Sequence, residues 1–456
     1  MNMKKILSLS ALAVMSLAFA GCAGEEDDLF SHSAAERLNM ATAEYTQRFA
    51  DKGGKWTMEY YPTTRTDKPQ GLGYLMLLDF NNDGSVKVAM NNDFTKNQYL
   101  EDVSVWEMIA DNGPVLSFST YNQCLHAFAD PKDISFTTGS LNDETGLGAE
   151  GDYEFMVLDL EDNASEAMVK GKKRGVYDRM MRLPEETDFA GYIADVLAFK
   201  NNIFSAQSPN NSMMVLGKDS FQIQDAATGM MNIFPYDGDH VSDEDFYPYL
   251  ITKRDGKFYL RFRDVISKGD DTRKVQEFVY DEESDKFFDV ENSANTVEGG
   301  VPASFFATCL KDNKTWRWTR TSAASESMAE LNNELYKQFT AVGNTLSYIN
   351  LTQNADGDLV CTLPFTFKLG RVTVSGSAVY LFAMEKTADG VELAYKEPGN
   401  DTGVLLLETV PVLNDFIAQL TGLYVVEAQT TRFNMNALRL TSASNAADWF
   451  VVTLFN

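Results

Sequence analysis

Histidine is nearly missing from this chain, with 3 in 456 residues, His32, His126 and His240. No two of them stand at the i, i+4 spacing that places paired imidazoles on one helix face, and the 4 cysteines form no Cys-x-x-Cys pair. A bound zinc needs such clusters, so no metal site and no other cofactor is expected. Positive charge is scarce as well, 39 Lys and Arg against 66 Asp and Glu, for a net charge of −27. The cations gather into no stripe, and so acidic a surface repels phosphate backbones, which excludes nucleic acid as a partner. Long apolar runs are absent. The longest, Ile6 to Ala20, is interrupted by Ser8, Ser10 and Ser16 and falls short of the roughly 20 residues a spanning helix needs.

That run has another use. Lys4 and Lys5 precede it, Phe19-Ala20-Gly21 supplies small residues at its end, and Cys22 follows directly, with Phe19 standing where Leu is usual. This is a lipobox, and residues 1–21 are expected to be a signal peptide cut before Cys22. The Cys22 thiol would then take a diacylglyceryl group, each buried methylene anchoring by about 0.8 kcal/mol. The other reading is an ordinary secretory signal with an incidental cysteine. Glu25-Glu26-Asp27-Asp28 offers nothing to bury, so residues 22–33 read as a solvated acidic tether. With Cys22 lipidated, Cys124, Cys309 and Cys361 remain, an odd number, and either one disulfide and one thiol or three buried thiols result.

A hydrophobic fraction of 44%, with 30 Phe and 19 Tyr, is enough for a large core. Ser33 with Glu36 forms a capping box, and Leu38, Ala41, Tyr45 and Phe49 recur on one helical face before Gly53. A strand is expected over Lys55 to Tyr61, then a hairpin from Leu72 to Phe80 through Asn81-Asn82-Asp83-Gly84 to Val86, Val88 and Met90. A similar order returns later. Ser322-Ala323-Ala324, then Met328, Leu331, Leu335 and Phe339, are followed by a strand at Leu346 to Leu351, the turn Asn354-Ala355-Asp356-Gly357 and alternating Leu359, Cys361 and Leu363. A second helix pair, Phe189 to Val196 after Pro184 and Leu413 to Leu420 after Pro411, extends the parallel. These correspondences suggest an internal duplication carrying insertions. The alternative is convergence on common capped helices and Asp-Gly hairpins.

Most of the remainder reads as short aromatic and β-branched strands separated by Gly, Asn and Asp: Val115 to Thr120, Tyr153 to Leu160, Glu166 to Lys170, Met213 to Leu216, Phe246 to Ile251, Lys257 to Arg263, Val275 to Tyr280, Val372 to Ala383 and Trp449 to Leu454. The expected class is therefore mainly β with a few helices (α+β), with antiparallel sheets forming barrel- or sandwich-like domains. The division expected is 34–184 for a first helix-plus-sheet domain and 185–456 for a second helix-plus-sheet region.

Ser119-Thr120-Tyr121-Asn122, His126, Asp130-Pro131, Gly151-Asp152-Tyr153-Glu154-Phe155 and Lys170-Gly171-Lys172-Lys173 form a combination of landmarks within residues 34–185. In these the chain resembles the Bacteroides-type lipoprotein family called domain of unknown function 4302. The resemblance implies a surface or periplasmic lipoprotein associated with outer-membrane nutrient uptake, and it implies no reaction. In such lipoproteins, acidic residues soon after the cysteine accompany delivery to the outer face of the outer membrane; a generic polar linker has the same composition.

Several constellations carry residue types that chemistry could use. Cys124 and His126 would face the same way on a strand, as nucleophile and base require, but a packed thiol and a hydrogen-bonded imidazole need the same spacing. The segment Asp237 to Asp245 is rich in carboxylates without the order of a calcium loop. Gly54-Lys55-Trp56 matches the Gly-x-Trp string that opens lipocalin barrels, where the Trp closes one end, and an ordinary core tryptophan fits equally. Trp316 and Trp318 alternate with Arg317, which suits either two indoles stacking on sugars beside a guanidinium or one buried strand face. Trp106, Tyr121 and His126 complete the candidate ligand contacts. Asp152 and Glu154 are the carboxylates a hydrolase would use.

The expectation is a lipid-anchored protein at the outer membrane, facing the cell surface or the periplasm. It would not be an enzyme but would bind a glycan or peptide in nutrient acquisition, alongside outer-membrane uptake proteins. A structural or adhesion component is the alternative, and a carboxylate hydrolase the third.

Overall fold

The computed structural model describes residues 32–64, 71–130, 148–205, 212–224, 226–235, 246–268 and 274–455. The lipobox with Cys22, the Glu25–Asp28 run and the Asp237–Asp245 segment lie outside them. The described chain begins with the capping box: Ser33 accepts from the Glu36 N–H, and the Glu36 carboxylate accepts from the Ser33 N–H at 2.9 Å. Helix α1 (Ala34–Ala50) follows, and its last turn carries Phe49, 0% exposed, to the mouth of a barrel.

That barrel has eight strands: β1 (Lys55–Tyr60), β2 (Tyr74–Phe80), β3 (Ser85–Met90), β4 (Leu100–Ala110), β5 (Pro114–Phe118), β6 (Glu154–Leu160), β7 (Glu166–Gly171) and β8 (Tyr177–Arg182). Each pairs antiparallel with the next, and β8 pairs back to β1 with Met58 opposite Met180. This is the up-and-down closure that leaves no strand edge open. Its interior is filled. Trp56, Met58, Met76, Leu78, Val88, Phe155 and Met180 are all fully buried, each contributing about 1.5–3 kcal/mol by leaving water.

Trp56 closes the end under α1. Its ring lies 5.1 Å from that of Phe49, its Nε1 donates to the Phe49 carbonyl at 3.0 Å, and the Arg182 guanidinium sits 4.0 Å over its face. Arg182 also donates to the carbonyls of Ala164, Asp51 and Arg48, so it ties the helix end to the last strand. Gly54 is required before this tryptophan. It has φ +65°, and a Cβ there would fall 1.9 Å from the Phe80 carbonyl oxygen.

A second barrel of eight strands comprises β9 (Ser212–Leu216), β10 (Asp219–Gln224), β11 (Met230–Pro235), β12 (Phe246–Arg254), β13 (Lys257–Ser267), β14 (Lys274–Asp281), β15 (Lys286–Asp289) and β16 (Thr296–Gly299), closed by β16 against β9. It too is solid, around Met214, Ile233, Leu260, Phe262 and Phe278. Helix α2 (Phe189–Ile203), N-capped by Asp188, packs between the barrels. Phe189 and Ile193 join the outward-facing Leu77 and Ala89 of the first barrel to the same core.

The third sheet has nine strands: β17 (Thr315–Trp318), β18 (Asn344–Leu346), β19 (Ile349–Gln353), β20 (Leu359–Leu369), β21 (Val372–Lys386), β22 (Gly390–Pro398), β23 (Gly422–Ala428), β24 (Ala437–Ser442) and β25 (Trp449–Phe455). Pairing of β20 with β21 makes it a closed circuit, with β18 an added segment beside β20. Helices α3 (Pro302–Lys311), α4 (Glu326–Ala341), α5 (Asp401–Thr409) and α6 (Val412–Leu420) complete its core. No described helix alone is long and apolar enough to cross a membrane; α5 and α6 together are, but they are bent by 116°, and Leu406, Val412, Leu413, Phe416, Ile417 and Leu420 face this core while Val404 and Leu405 are exposed.

Segment 34–184 thus holds α1 and the first barrel, and segment 185–456 holds α2, the second barrel and the third circuit. The expected helical parallel holds less closely than its sequence suggests. The N-cap of α4 is Ser325, not Ser322, and although an Asp-Gly turn follows the second strand after each helix, β1 pairs with β2 whereas β18 pairs with β20 and not with β19. The units interlock. The loop after β23 inserts Phe433, 1% exposed, into the end of the second barrel beside Phe204 and Phe287, while Asp285 accepts from the Arg432 N–H at 2.6 Å.

The two barrels meet through buried charge. Glu59 on β1 is fully buried, bound by Arg179 of β8 at 2.7 Å and by Arg261 of β13 at 2.8 Å. Arg179 also holds Glu277 of β14 at 2.5 Å, which Arg254 of β12 meets at 2.8 Å.

Candidate functional site

Asn122 builds the turn after β5. Its fully buried side chain accepts from the N–H groups of Cys124 and Leu125 at 3.0 and 3.2 Å and donates to the Asp102 carbonyl and the Ser104 hydroxyl, both at 3.2 Å. This fixes a short helical turn, His126–Ala129, rather than a strand. Cys124 and His126 therefore do not share a strand face. The thiol points at the Leu100 carbonyl, 3.7 Å away, and burial pushes its pKa up to about 12, so it is no nucleophile at neutral pH. The imidazole Nδ1 accepts from the Asn122 N–H at 3.1 Å. Cys309 and Cys361 are buried thiols as well, raised by burial to about 11 and 12.

The other edge of His126 faces outward. Its ring stacks on Tyr153 at 4.6 Å, with Tyr121 at 5.3 Å, and the two tyrosines are 43% and 57% exposed. Tyr153 is aimed by its own backbone, which accepts from the Phe118 N–H at 3.1 Å just before β6 starts. Glu107 and Ile109 of β4, Ser117 and Phe118 of β5, and Asp130 and Glu154 complete a groove of about 590 Å³ on the outside of the first barrel. Aromatic faces for stacking thus lie beside carboxylates that accept hydrogen bonds, the pairing that recognises a ring bearing hydroxyls. Four of the landmark segments meet here: Ser119 to Asn122, His126, Asp130 and Tyr153-Glu154.

Asp152 and Glu154 do not work as a pair. Asp152 turns into the β7–β8 loop, accepting from the Lys173 and Arg174 N–H groups at 3.2 and 2.7 Å, where Gly171 leaves it room. Glu154 faces out and meets Lys172 at 3.3 Å, which also holds Asp111 at 3.0 Å.

The remaining sequence candidates lie elsewhere and face inward. Trp316 and Trp318 are 0 and 1% exposed inside the third circuit, Trp316 against Phe306 and Trp318 against Phe450 at 4.4 Å, so neither offers a face to a sugar. Closure of the sheet turns that side of β17 to the core. Arg317, on the opposite face, is held between Tyr348 and Phe455, 3.7 and 3.5 Å from their ring centres. Trp106 is 3% exposed inside the first barrel, against Phe80, with Nε1 donating to the Asn81 carbonyl at 3.2 Å. Of the candidates, the structure brings Tyr121 and His126 together and scatters the rest. Among the described residues, no group of three His, Cys, Asp or Glu is arranged to hold a metal ion. Glu107 and Tyr153 were missed as ligand contacts; the outward position of Glu107 between Trp106 and Met108 was the available signal.

No curated protein matches the chain. Among solved structures, a mutant of the vaccine antigen Transferrin Binding Protein B (TbpB) from Haemophilus parasuis Hp5 aligns over 88% of this chain and 74% of that one, at 8% identity and a TM-score of 0.14, too slight a likeness to bear on fold or function. Residues 26–282 match the model of the family described as Domain of unknown function (DUF4302), and the chain belongs to that family. The match takes in the whole first barrel, α2 and the second barrel to the end of β14.

Proposed function

We propose that this member of the DUF4302 family is a lipid-anchored outer-membrane protein that binds a glycan at the cell surface, through the Tyr121–His126–Tyr153 groove. The observation that carries the reading is the exposure of two tyrosine rings, Tyr153 stacked on a half-buried histidine and Tyr121 tilted against it, flanked by Glu107, Asp130 and Glu154. Both barrel interiors are filled with side chains, so a ligand of sugar size has to be met on the outside. The lipobox at Cys22 and the acidic run after it support the anchor and its address.

Two measurements test this. The full-length chain in detergent is titrated calorimetrically with a panel of oligosaccharides; a binder is expected, weakened about tenfold or more by Tyr153→Ala with the thermal midpoint unchanged. Absence of any binder, or one indifferent to Tyr121→Ala and Tyr153→Ala alike, would refute the groove. Palmitate labelling that survives Cys22→Ser would refute the anchor.

A further inference from the structure

A second cleft, of about 470 Å³, opens where the first barrel, α2 and the second barrel meet. Its lining is half apolar, with Leu72 and Leu75 from the first barrel, Val196 and Leu197 of α2, and Leu250 and Ile251 of β12, and half polar, with Asn91, Asn92, Asp93, Asn97 and Asn201. Lys200, in the last turn of α2, reaches into it, with its ammonium 5.5 Å over the ring of Tyr249. Two other lysines beside α2 have polar partners: Lys253 pairs with Asp195 at 2.7 Å, and Lys55 donates to the Thr187 carbonyl at 2.9 Å. The Lys200 ammonium makes no hydrogen bond or ion pair to any described residue. Asp93, also in the lining, is the acid whose field reaches it, yet the two do not pair. Burial lowers the pKa of this amine, and the cost of holding an ammonium there falls when a counter-charge arrives.

One cation, a set of aliphatic side chains and the amides of Asn91, Asn92, Asn97 and Asn201 suit one negative group on an aliphatic body. A phosphate dianion would ask for more donors than a single ammonium supplies. We propose that this cleft is a binding site for a small aliphatic carboxylate, with Lys200 as the residue that receives the carboxylate. The carboxylate belongs either to a free acid or to the C-terminus of a peptide ending in an aliphatic residue. The site is separate from the aromatic groove and stands independently of the glycan reading.

The full-length chain is titrated with 4-methylpentanoate, with leucine and with a short acetylated peptide ending in leucine; 4-methylpentanamide serves as the neutral control. Saturable binding by at least one acid is expected, with a rise of several degrees in the thermal midpoint at saturation and none from the amide. Which acid binds best identifies the source of the carboxylate. Lys200→Met keeps the aliphatic stem and removes the charge, and it is expected to weaken binding about tenfold or more. In the unmodified protein, acylation of Lys200 by an amine-reactive ester, followed by peptide mass spectrometry, is expected to slow severalfold with the acid and not with the amide. Equal binding of acid and amide, undiminished binding by Lys200→Met, unprotected Lys200, or no saturable binding by any of the three acids would overturn the proposal.

Discussion

Replacing Arg179 with Met tests the charged joint between the barrels. The Arg179 side chain is 6% exposed and makes four hydrogen bonds, two to the Glu59 carboxylate at 3.2 and 2.7 Å and two to Glu277 at 3.3 and 2.5 Å. Methionine fills much of the volume and supplies none of them. Glu59, fully buried, would keep only Arg261, and Glu277 only Arg254. Removing one partner of a buried ion pair costs about 3–5 kcal/mol, mostly because the remaining charge stays desolvated. Here each carboxylate retains one guanidinium, which places the expected loss near the lower end, about 3 kcal/mol. Glu59→Gln in the same background removes one of those charges, so the double variant should be less destabilised than the sum of the singles, by about 1–3 kcal/mol. The assay is urea unfolding together with hydrogen exchange by mass spectrometry, because the chain has several units and a single midpoint would average them. Protection should fall in β1, β8, β13 and β14 and stay unchanged in β21–β24. A loss below about 1 kcal/mol, additive singles, or deprotection spread over the third circuit would refute the reasoning.

Arg182→Ala should free the end of α1 from the first barrel. It removes the stacked guanidinium and three hydrogen bonds to carbonyls, for an expected cost of about 2–4 kcal/mol, seen as urea sensitivity and a red-shifted tryptophan emission. An unshifted spectrum and midpoint would contradict the clamp. The groove should weaken in acid. Burial lowers the His126 pKa below its ordinary 6.5, so between the folded and unfolded values the unfolded chain binds a proton that the folded chain lacks. Stability contributed by this group is therefore full above pH 6.5 and falls as pH drops through that window, although Glu107, Asp130 and Glu154 in the same groove favour the imidazolium. An NMR titration of the imidazole at or above 6.5 would reverse the sign.

The elements legible in the sequence are those whose signals are local. The capping box set the start of α1, and both Asp-Gly turns appear where expected, with Gly84 and Gly357 at φ +82° and +87°. Strand β4 went unread because Val103 and Val105 point outward, 58 and 47% exposed, and blur the alternation that Trp106 and Met108 carry inside. Helix α3 is only ten residues long, and its run of Phe305, Phe306, Cys309 and Leu310, all buried, is too short for its period to be told from a buried strand. The sites were harder still. Trp-Arg-Trp on β17 reads alike for a sugar platform and for a core face, and only closure of the circuit around it decides. His126 and Tyr153 are joined by the pairing of β5 with β6, a long-range event that neither segment announces. Nothing local distinguishes Lys200 from any other lysine at the end of a helix; its setting comes from two barrels and a helix meeting.

Each closed sheet is sealed by its outermost strands in the chain, β1 with β8, β9 with β16, and β17 with β25. During vectorial synthesis the units can therefore be completed only in order, the first when Arg182 has emerged and the last when Trp449–Phe455 has. Until then β17 keeps an unpaired edge with Trp316 and Trp318 beside it, a template for pairing with another nascent chain. The long wait for β25 makes the third circuit the stage of biogenesis at which a helper that shields strand edges would matter most.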